Sequence, residues 1–168
     1  MADTYTVRAT DGTPSSTIGT RIFIAEGSAS GNLAFKELTS ITEVGDLGGD
    51  AEDIDVTTLK QKERSYVPGV KDFPSVDVTL LMEDKETGDT DNYSVLRAAE
   101  NGGALHCVDV LFPNNRGVRF YAKIKTRLTG ASVNGALTFV ASFYKKGDSA
   151  DVTWTGDDNA APTVTVVA

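Results

Sequence analysis

The chain has 168 residues, with 24 Asp plus Glu against 16 Lys plus Arg, a net charge of −8 and a hydrophobic content of 40%. That content places it among globular rather than disordered chains, and the length fits one domain with a single core. The acidic balance, with a pI near 4.6, argues against gripping free nucleic acid or an anionic membrane, which such a surface repels over roughly 8 Å at physiological salt.

Residues 1–17, with Asp11-Gly12-Thr13-Pro14-Ser15-Ser16, read as a flexible N-terminal arm. The main domain is expected over 18–155. Short β candidates come first, at 20–25 (Arg21-Ile22-Phe23-Ile24) and 33–44. Next comes an outlier, the connection from Gly45 to Pro74. It opens with Gly45-Asp46-Leu47-Gly48-Gly49-Asp50, holds a β-like piece at 54–58, and ends in Tyr66-Val67-Pro68-Gly69-Val70-Lys71-Asp72-Phe73. Near thirty residues is long for a compact domain and marks a functional or disordered segment.

Residues 75–82 alternate through Val76, Asp77, Val78, Thr79 and Leu80, the period of a half-buried strand. One segment argues for a helix: Asp91 can cap it, Tyr93, Leu96 and Ala99 share a face, and Asn101-Gly102-Gly103 closes it. Further strands are expected at 105–112, 118–125, 136–144 and 150–155. In 118–125, Val118, Phe120, Ala122 and Ile124 alternate with Arg119, Tyr121, Lys123 and Lys125. Residues 156–168 form a C-terminal tail whose 163–167 piece has β propensity but no evident partner. The pattern predicts a mainly β fold, an antiparallel sandwich or barrel with one flanking α-helix and a long inter-strand loop.

The candidate chemistries are thin. His106 and Cys107 are adjacent, so on one strand their side chains point to opposite faces and form no catalytic pair. The lone cysteine leaves no internal disulfide, and the N-terminus lacks a signal peptide, so folding in a reducing compartment is expected. Glu43, Asp46, Asp50, Glu52, Asp53 and Asp55 make an acidic run without the aromatics of a sugar cleft, best read as solvated. Asp84, Glu86, Asp89 and Asp91 crowd a turn around Gly88, but their spacing departs from an EF-hand loop. No phosphate loop or zinc cluster is present. One basic feature stands out: Arg119, Lys123, Lys125 and Arg127, with Tyr121, share a strand face. It fits nucleic acid, a plainly solvated face, or a complementary acidic surface on a neighbouring subunit; on a chain this acidic the last is favoured.

The stretch Asp53-Ile54-Asp55-Val56-Thr57-Thr58-Leu59, then Arg64-Ser65-Tyr66-Val67-Pro68-Gly69-Val70-Lys71-Asp72-Phe73, resembles a signature of the siphophage major tail tube family, I-D-V-T-T-L followed by R-E-F-x-P-G-L-K-D-x-G. Asp91, Tyr93 and Leu96, and then Phe112-Pro113-Asn114, are similar to later family features; Pro74 departs from a frequent glycine. The resemblance spans roughly 20–148, and the short stretch after Val152 leaves no expected room for the additional immunoglobulin-like domain of some members.

The resemblance implies a virion structural protein without enzymatic activity, cofactor or metal. Its subunits would close into hexameric rings, stack as a tail tube after assembly in the host bacterial cytoplasm, and meet tape measure, tail tip and terminator proteins. DNA would pass through the bore without specific binding, and no membrane would be involved. The long loop would be an arm reaching a neighbouring ring through Asp53, Asp55, Tyr66, Val67, Val70 and Phe73. Six subunits at −8 would total −48 per ring, a wall past which DNA slides if part of that charge faces the bore. A secretion-system tube of the Hcp kind, another β-sandwich virion protein and a monomeric binding module are the alternatives.

Overall fold

The structure, a computed structural model, describes residues 4–6, 19–27, 33–49, 51–60, 62–71, 75–83, 91–129, 135–156 and 160–167. Among these residues twelve strands and one helix run in the order β1 (Thr4–Thr6), β2 (Arg21–Glu26), β3 (Ala34–Leu38), β4 (Ile41–Val44), β5 (Ala51–Asp55), β6 (Tyr66–Lys71), β7 (Val76–Leu81), α1 (Asn92–Gly102), β8 (His106–Leu111), β9 (Arg116–Leu128), β10 (Thr138–Lys145), β11 (Ala150–Thr155) and β12 (Thr163–Val166). Ten strands join one sheet along the path β1-β3-β2-β8-β9-β10-β7-β4, with β11 and β12 branching from β9; β5 and β6 form a separate pair.

The thirteen-residue β9 is the pivot. One edge pairs antiparallel with β8 through Gly117–Ala122. The other edge takes β10 through Ala122–Leu128 and β11 through Arg116–Arg119. Because partners change along its length, the sheet folds over and encloses two cores. Ile22, Ile24, Val108, Val110, Phe120, Phe139 and Phe143 belong to the larger, which α1 covers with Leu96. Phe23, Ala25, Phe35, Cys107, Leu111, Val152 and Trp154 make the smaller. Strands β2 and β8 alternate into both, so they read as almost unbroken apolar runs, whereas β7 and, from Ala122 onward, β9 alternate between buried and more exposed positions.

Local chemistry ends each element. Asp91 caps α1 by accepting a hydrogen bond from Ser94 N at 3.1 Å. Gly103, at φ +62°, closes it by donating to Ala99 O and Glu100 O. The expected 33–44 strand is broken at Thr39-Ser40, where Ser40 adopts φ +58°. That corner is held by Asn92, which exchanges hydrogen bonds with the Thr39 backbone, and by Glu83, which accepts from Thr39 Oγ1 at 2.8 Å and Ser40 Oγ at 2.6 Å. Phe112-Pro113-Asn114 forms the β8–β9 turn.

Two terminal expectations are modified. The 163–167 piece does find a partner, since β12 pairs antiparallel with β11 from Val152↔Val166 to Thr155↔Thr163. In the N-terminal arm, Thr4–Thr6 adds to β3 as a parallel strand; residues 7–17 lie outside the described residues. So do Asp84, Glu86, Gly88 and Asp89 of the acidic turn.

Candidate assembly surfaces

The 45–74 connection is structured around the β5–β6 hairpin, and its first strand begins at Ala51, three residues before the expected piece. Asp53 faces Pro68, Ile54 faces Val67 and Asp55 faces Tyr66. Beyond the strands, Val56 N donates to Ser65 O at 2.9 Å, and Ser65 N donates to Thr57 Oγ1 at 3.0 Å. Asp55 Oδ1 accepts from Thr57 N at 2.9 Å and from the Thr57 hydroxyl. These bonds to Thr57, the hydroxyl foremost, hold the Asp55 carboxyl below its ordinary pKa. Pro68, which has no N–H to donate, is tolerated because a two-stranded ribbon leaves one side of each strand unpaired.

Each hairpin strand packs appreciably on the other and on no further element among the described residues. Ile54 and Val67 share one face and are about half exposed, Val56 lies two residues on from Ile54, Tyr66 is half exposed opposite Asp55, and Leu59 at the tip is fully exposed. An isolated two-stranded ribbon is marginal in water, and fully burying one such side chain is worth about 1.5–3 kcal/mol. This surface therefore has much to gain from a partner. Of the arm residues expected from sequence, Asp53, Asp55, Tyr66 and Val67 come together here and Val70 lies on β6; Phe73 is outside the described residues. Ile54, Val56 and Leu59, quoted in the signature but not singled out, belong with them, and the Ile-x-Val alternation was the available signal.

The basic stripe divides in two. Lys123, Lys125 and Arg127 are exposed on β9, and none has an ion-pair partner among the described residues. Arg119 shares their face by alternation, but there β9 has passed to the second core. Its guanidinium makes a two-pronged pair with fully buried Asp109, both contacts 2.7 Å, and lies 5.3 Å from the Phe35 ring centre. A buried pair of this geometry satisfies both charges internally.

A cleft of about 590 Å³ lies between α1 and the β2–β3 side. Among the described residues its lining holds one carboxylate, Glu26, and one imidazole, His106, whose Nδ1 is 3.1 Å from Ala104 O. Cys107 is buried in the smaller core, on the opposite strand face. No group of three or more His, Cys, Asp or Glu able to hold a metal occurs among the described residues.

Closed cores, a doubled-over antiparallel sheet and an apolar hairpin standing clear of them define a structural protein of the tail tube fold. The family described as "Phage tail tube protein, TTP" matches residues 2–153, and the chain belongs to it as a structural subunit of a phage tail tube. Two of the solved structures that share the fold are assemblies with six-fold symmetry. The tail of an empty GTA particle, refined with helical C6 symmetry, aligns with a TM-score of 0.59 and 20% identity over 81% of this chain and 97% of that one. The six-fold symmetrised baseplate of the anti-feeding prophage aligns at 0.56 with 9% identity, over 84% and 97%. No curated protein matches the sequence.

Proposed function

We propose that six copies close into a ring and that rings stack into the tube through the β5–β6 hairpin, which docks on the adjacent ring. The observation that carries this reading is the hairpin itself, which exposes Ile54, Val56, Leu59, Tyr66 and Val67 away from either core. The six-fold symmetry of the two assemblies sharing the fold supports the ring number. Within the virion the tube conducts DNA without binding it specifically, and its ends meet tape measure, tail tip and terminator proteins after assembly in the host bacterial cytoplasm. The subunit works by shape and association and carries out no catalysis.

Negative-stain electron microscopy of the purified protein, first dilute and then concentrated over a day, tests the reading. Hollow rings or tubes with a central channel are expected. Dispersed small particles at every concentration, also after seeding with preformed tail tips, would overturn it in favour of a monomeric binding module.

A further inference from the structure

The second half of β9 belongs to a four-stranded segment, β9-β10-β7-β4, whose one face lines the larger core and whose other face carries exposed charged side chains around a buried Val140. The strand registers place the charges on that open face. One cross-strand row runs Lys125, Ser142, Asp77; the next runs Arg127, Val140, Thr79, Glu43. Lys123 extends the basic end opposite Tyr144. The face is therefore basic along β9, uncharged along β10, and acidic at Asp77 on β7 and Glu43 on β4.

Both ends lie where the sheet stops. β4 ends the strand path. Past Ala122, β9 has no strand on its β8 side among the described residues, and α1 meets it there as Glu100 accepts from Thr126 N at 3.2 Å. Asp77 and Lys125 are two strand spacings apart, roughly 10 Å, and Glu43 and Arg127 three spacings, roughly 14 Å. Among the described residues neither couple forms an ion pair within one subunit. Lys123, Lys125, Arg127, Asp77 and Glu43 are all exposed.

We propose that this charge separation is the ring seam. Lys125 and Arg127 of one subunit pair with Asp77 and Glu43 of the next, and so fix the order and register of head-to-tail closure. The occupant is a second copy of this chain, because a head-to-tail contact needs two different, complementary edges on every subunit, and this face supplies them. The proposal rests on the ring reading above.

The test uses two double variants of the full chain. K125E/R127E reverses the two pairing positions of the β9 edge and leaves Lys123 as its one remaining base, and E43K/D77K makes both edges basic. Each alone should lose tubes, or need about tenfold or more protein to form them. Mixed in equal amounts they should assemble again, because acidic and basic subunits can alternate around an even-numbered ring. The recovered tubes should contain the two at one to one. Recovery on mixing also shows that both variants fold. Two outcomes overturn the seam while leaving the ring intact: wild-type tubes with either variant assembling equally well alone, or a folded mixture, by circular dichroism, that assembles no better than its parts. If the wild type forms no rings alongside them, the ring reading falls and the seam with it.

Discussion

Glu100 shows how one side chain can finish a strand edge. Near the end of α1 it accepts from Thr126 N, from the Thr126 hydroxyl and, at 2.7 Å, from Arg97. The Thr126 hydroxyl bond is the leading reason its pKa lies below the ordinary glutamate value. A depressed carboxylate contributes stability that is present above its unfolded pKa and is lost as pH falls through the folded one. Thermal midpoints measured between about pH 5 and pH 3 should therefore fall more steeply for the wild type than for Glu100→Gln; parallel curves would show that the contact contributes nothing. Gly117 illustrates the opposite constraint, an absent side chain. A Cβ there would meet Val110 O at 2.5 Å and Val152 Cγ2 at 3.0 Å, so β8 and β11 close on β9 only because nothing projects between them.

At the scale of elements, the hairpin and the sheet obey different stability rules. Sheet strands are stabilised by burial in two cores, whereas β5 and β6 leave Ile54, Tyr66 and Val67 about half exposed. Replacing Leu59, Val67 and Ile54 together by serine should then change the subunit's own unfolding free energy little, within about 0.5 kcal/mol per site. The same change should abolish stacking of rings into tubes. Calorimetry of the unassembled subunit and micrographs of concentrated protein read the two effects separately. A large loss of subunit stability would mean that the hairpin packs on its own domain after all.

At the scale of the whole molecule, β2 and β8 are shared walls of both cores, so neither core can open without disturbing the other. Trp154, the sole tryptophan, is buried in the smaller core and donates to Phe112 O at 2.8 Å. It reports on a region separate from the Phe139 and Phe143 packing of the larger core. Unfolding followed by Trp154 fluorescence and by far-ultraviolet circular dichroism should give one coincident transition. An earlier fluorescence change would show that β11 and β12 detach first.

Much of this organisation was legible in the residues. Alternation located β7, β9 and β10; Asp91 and Gly102-Gly103 delimited the helix; adjacency on a strand separated His106 from Cys107. These features depend on period, capping and backbone geometry, which act over a few residues and are written in local order. Tertiary structure decided what depends on distant partners. It turned Arg119 inward to Asp109 while Lys123, Lys125 and Arg127 stayed in water, because β9 changes neighbours midway. It gave β12 a place on β11, split 33–44 at Ser40, and set Asp77 and Glu43 across a sheet from Lys125 and Arg127. Side-chain period tells which residues share a face, but only the pairing of remote strands decides what that face meets.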